Sequence, residues 1–322
     1  MKRLRCAVTG LGRIGSLLED DRLREKPATH AGVIVQNPDC TLVAGCDIRE
    51  DRRTRFEKRW DCKNTYQDTG RMLSRTSPDI LHIATPPDTH LEIVRTAVQY
   101  GVRMIICEKP LAEKEEDARH ITDLHKGRRT KILVNHERRY SADYRMARER
   151  IQKRAYGELL SIHAMLYMGR HREANDILLD DGTHLIDIIN FLTGSTLDLV
   201  QKERFDLSRQ QALLVMGRVC DIPVVFEVAS GRTYVTFELD LIFSHGRIRI
   251  GNGIYEEYES GPSPYYEGMN SLLRIKTPLL FPTGYFSNMM ADAVLCAREQ
   301  DREPVSSAPD GYKALAFITR VK

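Results

Sequence analysis

The fold is decided by Gly10-Leu11-Gly12-Arg13-Ile14-Gly15, which directly follows the apolar run Leu4 to Thr9. A run of this kind that ends at a glycine motif is typical of a buried parallel strand turning tightly into a helix. The glycines permit the turn and let a pyrophosphate sit against the helix N-terminus, where free amides and the helix dipole favour anions. In this setting the motif predicts dinucleotide binding.

A second apolar run, Leu42 to Cys46, ends at Asp47. A carboxylate at this point accepts hydrogen bonds from both ribose hydroxyls of an adenosine and repels a 2′-phosphate. The sequence therefore predicts NAD rather than NADP as the cofactor. Arg49 keeps NADP open, because its side chain is able to turn toward such a phosphate.

The separation between Gly10 and Asp47 is longer than usual. It is 37 positions, 47 minus 10, against about 20 in the simplest fingerprint. The surplus, Glu19 to Pro27, is polar and charged, which predicts a loop inserted into the first helix and lying over the cofactor cleft. Its composition is equally compatible with an inert surface loop.

Further apolar runs, separated by stretches of helical periodicity, lie at Ile80 to Ala84, Met104 to Cys107 and Lys131 to Val134. Alternating strands and helices predict a doubly wound parallel sheet, a Rossmann domain over residues 1–134. Beyond it, strand-like runs joined by short turns lie at 159–167, 212–219, 223–229, 233–243 and 247–250. These runs predict a second, α/β domain with an open antiparallel sheet over residues 135–322.

Composition places the chain among ordinary globular proteins, with 42% hydrophobic and 29% charged residues. The net charge of +3 comes from mixed signs along the chain, which argues against a nucleic-acid or membrane surface. Seven scattered cysteines without a CxxC pair favour reduced thiols in a cytoplasm, with no metal or disulfide framework. No apolar stretch reaches the ~18 residues of a membrane helix, and the run after the basic N-terminus is too short for a signal peptide.

A polar pattern lies on the helix predicted near Asp180 to Leu192. Asp180, His184 and Asp187 fall at i, i+4 and i+7 on one face, opposite an apolar stripe, with Gly194 as the expected C-terminal stop. This face is free to look into a cleft, but an acidic residue near a helix start beside a histidine is also typical of a surface pair. A zinc pair is disfavoured because no third ligand has a suitable spacing.

Four motifs follow one another along the chain: Ala84-Thr85-Pro86-Pro87-Asp88-Thr89-His90, Glu108-Lys109-Pro110, Val134-Asn135-His136-Glu137-Arg138-Arg139-Tyr140 and Asp180-x-Gly182-x-His184-x-x-Asp187. The first two end predicted strands at the carboxyl edge of the parallel sheet, where ligands bind. In this order the four motifs resemble those of the Gfo/Idh/MocA family of NAD(P)-dependent sugar and polyol oxidoreductases, and the resemblance covers nearly the whole chain.

The resemblance implies a sugar, cyclitol or sugar derivative as substrate and a homodimer or homotetramer formed through the C-terminal sheet. It also completes the set of residues expected at the cofactor: Gly10, Gly12, Arg13, Ile14, Gly15, Asp47, Thr85, Pro86, His90 and Glu108.

The expected chemistry is reversible hydride transfer between NAD and a carbon bearing a hydroxyl. His184 is the candidate general base, because the unperturbed pKa of histidine is about 6.5. Asp180 would orient it or hold a neighbouring hydroxyl, and Lys109 would bind the reacting oxygen and stabilise alkoxide character. Two alternatives remain open: cleavage of a glycoside or elimination assisted by transient oxidation, and a non-enzymatic NAD- or sugar-binding sensor on the same fold.

Overall fold

The glycine motif follows an inner strand of a six-stranded parallel sheet. The strands are β1 (Leu4–Thr9), β2 (Cys40–Cys46), β3 (Thr65–Tyr66), β4 (Ile80–Ile83), β5 (Met104–Cys107) and β6 (Lys131–Val134). Their order is β3-β2-β1-β4-β5-β6, and every neighbouring pair is parallel. The order reverses between β1 and β4, which is the switch point where doubly wound sheets bind ligands. The prediction of a Rossmann sheet is confirmed.

This computed structural model describes residues 2–124, 129–169, 173–207, 210–278 and 280–322. The helices between the parallel strands are α1 (His30–Gln36), α2 (Glu50–Trp60), α3 (Thr69–Thr76), α4 (His90–Gln99) and α5 (Glu115–Leu124). Strands β4, β5 and β6 are buried along their whole length, as expected for parallel strands covered on both faces. That burial explains why short apolar runs were a sufficient sequence signal for them.

The structure forms two units, and the second comprises Ser141–Thr283 and Ala316–Lys322. Its first elements are α6 (Ala142–Gln152), β7 (Leu159–Met168), α7 (Ala174–Asp180) and α8 (Gly182–Thr193). The remaining strands are β8 (Asp198–Leu207), β9 (Gln210–Val219), β10 (Ile222–Ala229), β11 (Val235–Phe243), β12 (Gly246–Gly251), β13 (Ile254–Pro262) and β14 (Asn270–Arg274).

These strands form an eight-stranded sheet in the order β14-β13-β12-β11-β7-β10-β9-β8. All neighbours are antiparallel except β7 and β10, which run parallel. The predicted second sheet is therefore present and mostly antiparallel.

Two helices follow, α9 (Tyr285–Arg298) and α10 (Ala308–Val321). The first unit comprises the residues up to Tyr140 together with Gly284–Leu315, so it includes all of α9. Phe286 and Met289 of α9 are buried in the same core as the parallel strands, and the Tyr140 hydroxyl donates to Asp292 at 3.0 Å. This division differs from the expected 1–134 and 135–322, because the apolar face of α9 completes the core of the first unit.

Candidate functional site

Gly10 and Gly15 leave no room for a side chain. A Cβ on Gly10, whose φ is +87°, would lie 2.4 Å from the carbonyl oxygen of Ala84, and one on Gly15 would lie 1.9 Å from the carbonyl oxygen of Gly10. A Cβ on Gly12 would instead meet the Arg52 guanidinium at 3.3 Å. The motif thus turns tightly against the end of β4 and presents Gly12 beneath a flexible basic side chain.

The amides of this turn suit an anion. The Gly12 carbonyl accepts from the N–H groups of Ser16 and Leu17, and the Arg13 carbonyl accepts from Leu18, which forms one helical turn. Nothing in the described chain accepts from the N–H groups of Gly12 and Arg13. A tight turn with available amides fits the pyrophosphate of a dinucleotide.

The first helix is interrupted directly after this turn. The N–H of His30 donates to the Ile14 carbonyl at 3.0 Å, and the N–H of Ala31 donates to the Gly15 carbonyl at 3.0 Å. In an uninterrupted helix these bonds would come from residues 18 and 19, so α1 continues the first turn after an excursion of 12 residues, 30 minus 18. Without it, Gly10 and Asp47 would be 25 positions apart, near the usual spacing.

The excursion is tied to the first unit by its acidic side chains. Glu19 accepts from the Ala28 amide at 3.0 Å and from the Thr29 hydroxyl at 2.7 Å, and Glu25 accepts from the amide of Gly284, which precedes α9. Leu23, in contrast, is 95% exposed. The predicted insertion is present, and its position over the cofactor stays a prediction.

Asp47 stands at the end of β2 and is nearly buried. Its Oδ2 accepts from the Leu11 amide at 2.9 Å and lies 3.3 Å from Arg52 Nη1, and its Oδ1 accepts from the Arg49 amide at 2.9 Å. The Arg49 side chain pairs with Asp51 instead. Arg52, rather than Arg49, is therefore the guanidinium beside this carboxylate.

The loop after β4 brings Thr85 and Pro86 to the carboxyl edge of the sheet, half-buried and exposed respectively. His90 does not join them, because its ring is 0% exposed. Its Nδ1 lies 3.1 Å from the Leu111 carbonyl and its Nε2 lies 3.0 Å from the Thr85 carbonyl. Burial lowers the pKa of His90, although both carbonyls oppose that shift. The ring holds the two edge loops together.

Glu108 and Lys109 follow β5 at the same edge. Glu108 Oε1 accepts from Asn135 Nδ2 at 2.6 Å and lies 2.8 Å from His30 Nε2, while Oε2 lies 3.3 Å from the Lys109 amide. Burial alone would raise the pKa of the Glu108 carboxyl, but the hydrogen bonds from His30 and Asn135 outweigh it and lower the pKa. Lys109 itself is half-buried. A fixed carboxylate thus anchors the turn that carries this lysine.

Asp180 and His184 lie in the second unit, on either side of a helix break. The sequence predicts one helix from Asp180 onward, but α7 ends at Asp180 and α8 begins at Gly182. Asp180, Asp181 and Gly182 are three consecutive residues of low helix propensity. The His184 amide donates to the Asp181 carbonyl at 3.1 Å, so α8 starts afresh.

The prediction of one continuous helix from Asp180 onward is therefore wrong, and Asp180 is exposed at the end of α7. His184 and Asp187 do share α8, and they are 6% and 1% exposed. The face expected to be open is buried. The predicted stop at Gly194 is confirmed by its φ of +73°.

Four residues near the parallel-sheet edge were missed or undervalued by sequence reasoning: Arg52, His30, His82 and Asn135. His82 interrupts the otherwise apolar strand β4. That interruption was the available signal. For Arg52 no sequence pattern distinguishes it from the other basic residues of α2.

In the described ranges, no group of three or more His, Cys, Asp or Glu side chains is arranged to hold a metal ion. No helix within those ranges has both the length and the hydropathy needed to cross a membrane.

The known proteins to which this chain is similar are oxidoreductases. Residues 4–136 match the model of an oxidoreductase family with an NAD-binding Rossmann fold, GFO_IDH_MocA. The chain is 23% identical over 202 residues to D-glucoside 3-dehydrogenase of Escherichia coli, covering 59% of this chain and 54% of that protein. It is 24% identical over 265 residues to inositol 2-dehydrogenase of Corynebacterium glutamicum, covering 78% and 74%. The aligned part thus spans about half the length of the first relative and three quarters of the second.

A solved structure extends the likeness to the whole chain. The WlbA dehydrogenase of Bordetella pertussis, in complex with NADH and UDP-GlcNAcA, matches with a TM-score of 0.77 and 18% identity over 99% of this chain and 94% of that one. At this identity the match establishes the fold.

Proposed function

Because residues 4–136 match the Gfo/Idh/MocA model of oxidoreductases, we propose that the chain is a member of this family, an NAD-dependent dehydrogenase acting on a secondary alcohol of a sugar, cyclitol or sugar derivative. The observation that carries the proposal is the Lys109 turn, anchored by buried Glu108 at the edge where the glycine turn and Asp47 also end. Curated relatives of the family include a glucoside dehydrogenase and an inositol dehydrogenase, which motivates the substrate class.

The residues of the first unit fit NAD. We assign the pyrophosphate to the turn Gly10 to Gly15, including Arg13 and Ile14, and the adenosine ribose to Asp47. Thr85, Pro86 and Glu108 would line the nicotinamide side of the same edge. His90 acts on this region only through the loops it joins. When bound, NAD supplies the hydride chemistry, and the protein positions and deprotonates the alcohol.

NAD is proposed over NADP because of the Asp47 carboxylate. A 2′-phosphate would lie beside this nearly buried negative charge, which disfavours it. Arg52 reduces the effect, since its guanidinium is 3.3 Å from Asp47 and its side chain is 35% exposed and therefore able to move.

Lys109 is assigned to the reacting oxygen and His184 to its proton. An ammonium near the carbinol oxygen stabilises the charge that develops as the proton leaves. A neutral imidazole accepts that proton, and the carboxylate of Asp180 favours the imidazolium that results. The helix break leaves Asp180 exposed, so its orienting role is the least constrained of the three.

We propose a homodimer or homotetramer formed through the eight-stranded sheet. Leu214, Met216 and Val225 are 39%, 49% and 38% exposed, and Met216 lies opposite Val225 on the neighbouring strand. An apolar patch of this kind is typical of an interface. The seven cysteines are all free thiols and fit a reducing compartment, so we propose the cytoplasm.

The function is tested by screening aldoses, cyclitols and sugar derivatives for NADH formation, with mass spectrometry of the purified protein for bound NAD. We expect turnover by the wild-type protein and by Lys114→Met, an exposed lysine five positions away, but not by Lys109→Met. Glycoside cleavage without NADH release would establish redox-assisted cleavage instead. NAD binding without turnover of any compound would indicate a sensor.

A further inference from the structure

A line of buried polar side chains runs inward from Glu108, and the proposed mechanism uses none of its inner members. His30 Nε2 lies 2.8 Å from Glu108 Oε1, and His30 Nδ1 lies 2.9 Å from Nδ1 of His82. Both imidazoles are 0% exposed, and their ring centroids are 5.1 Å apart at an angle of 77°. Three ionisable groups therefore form one hydrogen-bonded line within the first unit.

The contacts of Glu108 determine where the protons lie. An ionised carboxylate only accepts, so His30 must carry its proton on Nε2. The short contact between the two Nδ1 atoms then needs one proton, from His82 or from a doubly protonated His30. A doubly protonated His30 would place a cation in the interior. His82 would then accept at Nδ1 and carry its own proton on Nε2, where no described group accepts it. A donor without a partner and a buried charge are both costly.

The less costly arrangement has His82 donating from Nδ1 to a neutral His30. Burial lowers the pKa of His82 well below its usual value, in agreement with a neutral ring. His82 thereby holds His30 in the tautomer that donates to Glu108.

We propose that His82 is a positioning residue for Lys109, acting through His30 and Glu108. The inference rests on the proposed function of Lys109. The line holds the Glu108 carboxylate toward the interior, with Oε2 near the Lys109 amide. If His30 loses its partner and turns away from Glu108, Asn135 is left as a fixed side-chain donor to this carboxylate, and the carboxylate rotates more readily toward the ammonium group one residue away. An ion pair there would compete with the reacting oxygen for the same ammonium.

The tautomer is tested directly in the wild-type protein by side-chain ¹⁵N NMR of labelled histidine, assigned with His82→Asn. This measurement needs no substrate. We expect a neutral His82 with its proton on Nδ1 at pH 7.5. A proton on Nε2 would overturn the proposed line.

The positioning role is tested by a pair of substitutions. In His82→Leu the donor is removed, whereas in His82→Asn the amide Nδ2 takes the place of Nδ1 and still donates to His30. We expect His82→Leu to lower kcat about tenfold, as is usual for supporting hydrogen-bond partners, with the KM for NAD unchanged. His82→Asn should stay within about twofold of wild type.

Equal kcat in His82→Leu and wild type, or equal losses in both variants, would overturn the inference while leaving the proposed function intact. If the wild-type protein shows the expected tautomer but oxidises no sugar or polyol, the proposed function fails and Lys109 has no role for His82 to support. Thermal unfolding of both variants separates a loss of positioning from a loss of folded protein.

Discussion

At the scale of single residues, Asp47 and Arg52 share the point where a cofactor's adenosine ribose would bind. In Asp47→Ser the repulsion of a 2′-phosphate is removed, while Arg52 stays 3.3 Å from the altered group's position. We expect kcat/KM for NAD to fall about tenfold, because hydrogen bonds to a charged group are lost, and kcat/KM for NADP to rise. Steady-state kinetics with both cofactors measure this. Asp61→Ser, which affects an exposed carboxylate at the C-terminal end of α2, is the matched control. Equal specificity constants for the two cofactors in the wild-type protein would contradict the NAD preference.

Lys109 and His184 are expected to act on chemistry rather than on cofactor binding. Lys109→Met and His184→Ala should each lower kcat ~10²-fold or more, with the dissociation constant for NAD little changed. Asp180→Asn should lower kcat less, since Asp180 lies exposed beyond the helix break. Turnover numbers and NAD titrations by fluorescence separate the two effects. Near-normal kcat in His184→Ala across the pH range would move the base elsewhere, to Lys109 first.

At the scale of elements, the excursion between the first helical turn and α1 makes a prediction about helical phase. Deleting residues 18–29 should join Leu17 to His30 in one continuous helix, because His30 already bonds to Ile14 as residue 18 would. Deleting eleven residues, 19–29, should rotate α1 by about 100° and expose its buried face. Thermal unfolding and circular dichroism compare the two deletions. If the twelve-residue deletion is the less stable of the two, the helix is not continuous across the excursion, and unchanged kinetics in the folded deletion would identify an inert loop.

Elements with a strong apolar signal were predictable, and those defined by polar residues were not. Strands β4, β5 and β6 are buried on both faces and read directly from the sequence. Strands β8, β13 and β14 were missed because they are edge strands or lie next to an edge. Strands β8 and β13 also carry several charged residues, and β14 has only five residues. The break at Asp181 was missed because the apolar stripe continued past it. At the site, motifs located the carboxyl-edge residues, but the line from Glu108 to His82 joins three distant positions that no local pattern connects.

At the scale of the whole molecule, buried neutral histidines make stability depend on pH. Burial lowers the pKa of His82 and of His90 below the value of about 6.5 in an unfolded chain. Below pH 6.5 the unfolded chain therefore binds protons that the folded chain does not, and stability falls as pH falls. The pKa of the Glu108 carboxyl is also lowered in the folded chain, so its ionised form contributes to stability. That contribution is lost only below about pH 4.5, the pKa of this carboxyl in the unfolded chain. Urea unfolding at pH 7.5 and 5.5 should show this decrease, and it should be smaller in His82→Asn. A decrease of the same size in that variant would exclude His82 as a source.

Assembly is the second property at this scale. Met216→Asp places a charge in the exposed apolar patch with Leu214 and Val225, and should convert the proposed oligomer to a monomer, because an interface core tolerates an unpaired charge poorly. Light scattering after size-exclusion chromatography gives the mass. Leu23→Asp, at an even more exposed leucine on the excursion, should leave the mass unchanged. A monomeric wild-type protein would contradict the proposal.

The excursion has a further consequence for engineering. The amide at its start bonds to the Arg13 carbonyl, and the amide that follows its end bonds to the next carbonyl, that of Ile14. The distance between the two ends of the excursion is therefore set by the helix and not by the length of chain in between. A guest domain whose own termini lie close together could replace residues 19–28 without changing the phase of the host helix. Because the insertion point adjoins the glycine turn, a dinucleotide bound at that turn would affect the conformation of the guest domain. A fluorescent guest would therefore make the protein a genetically encoded reporter of its nucleotide.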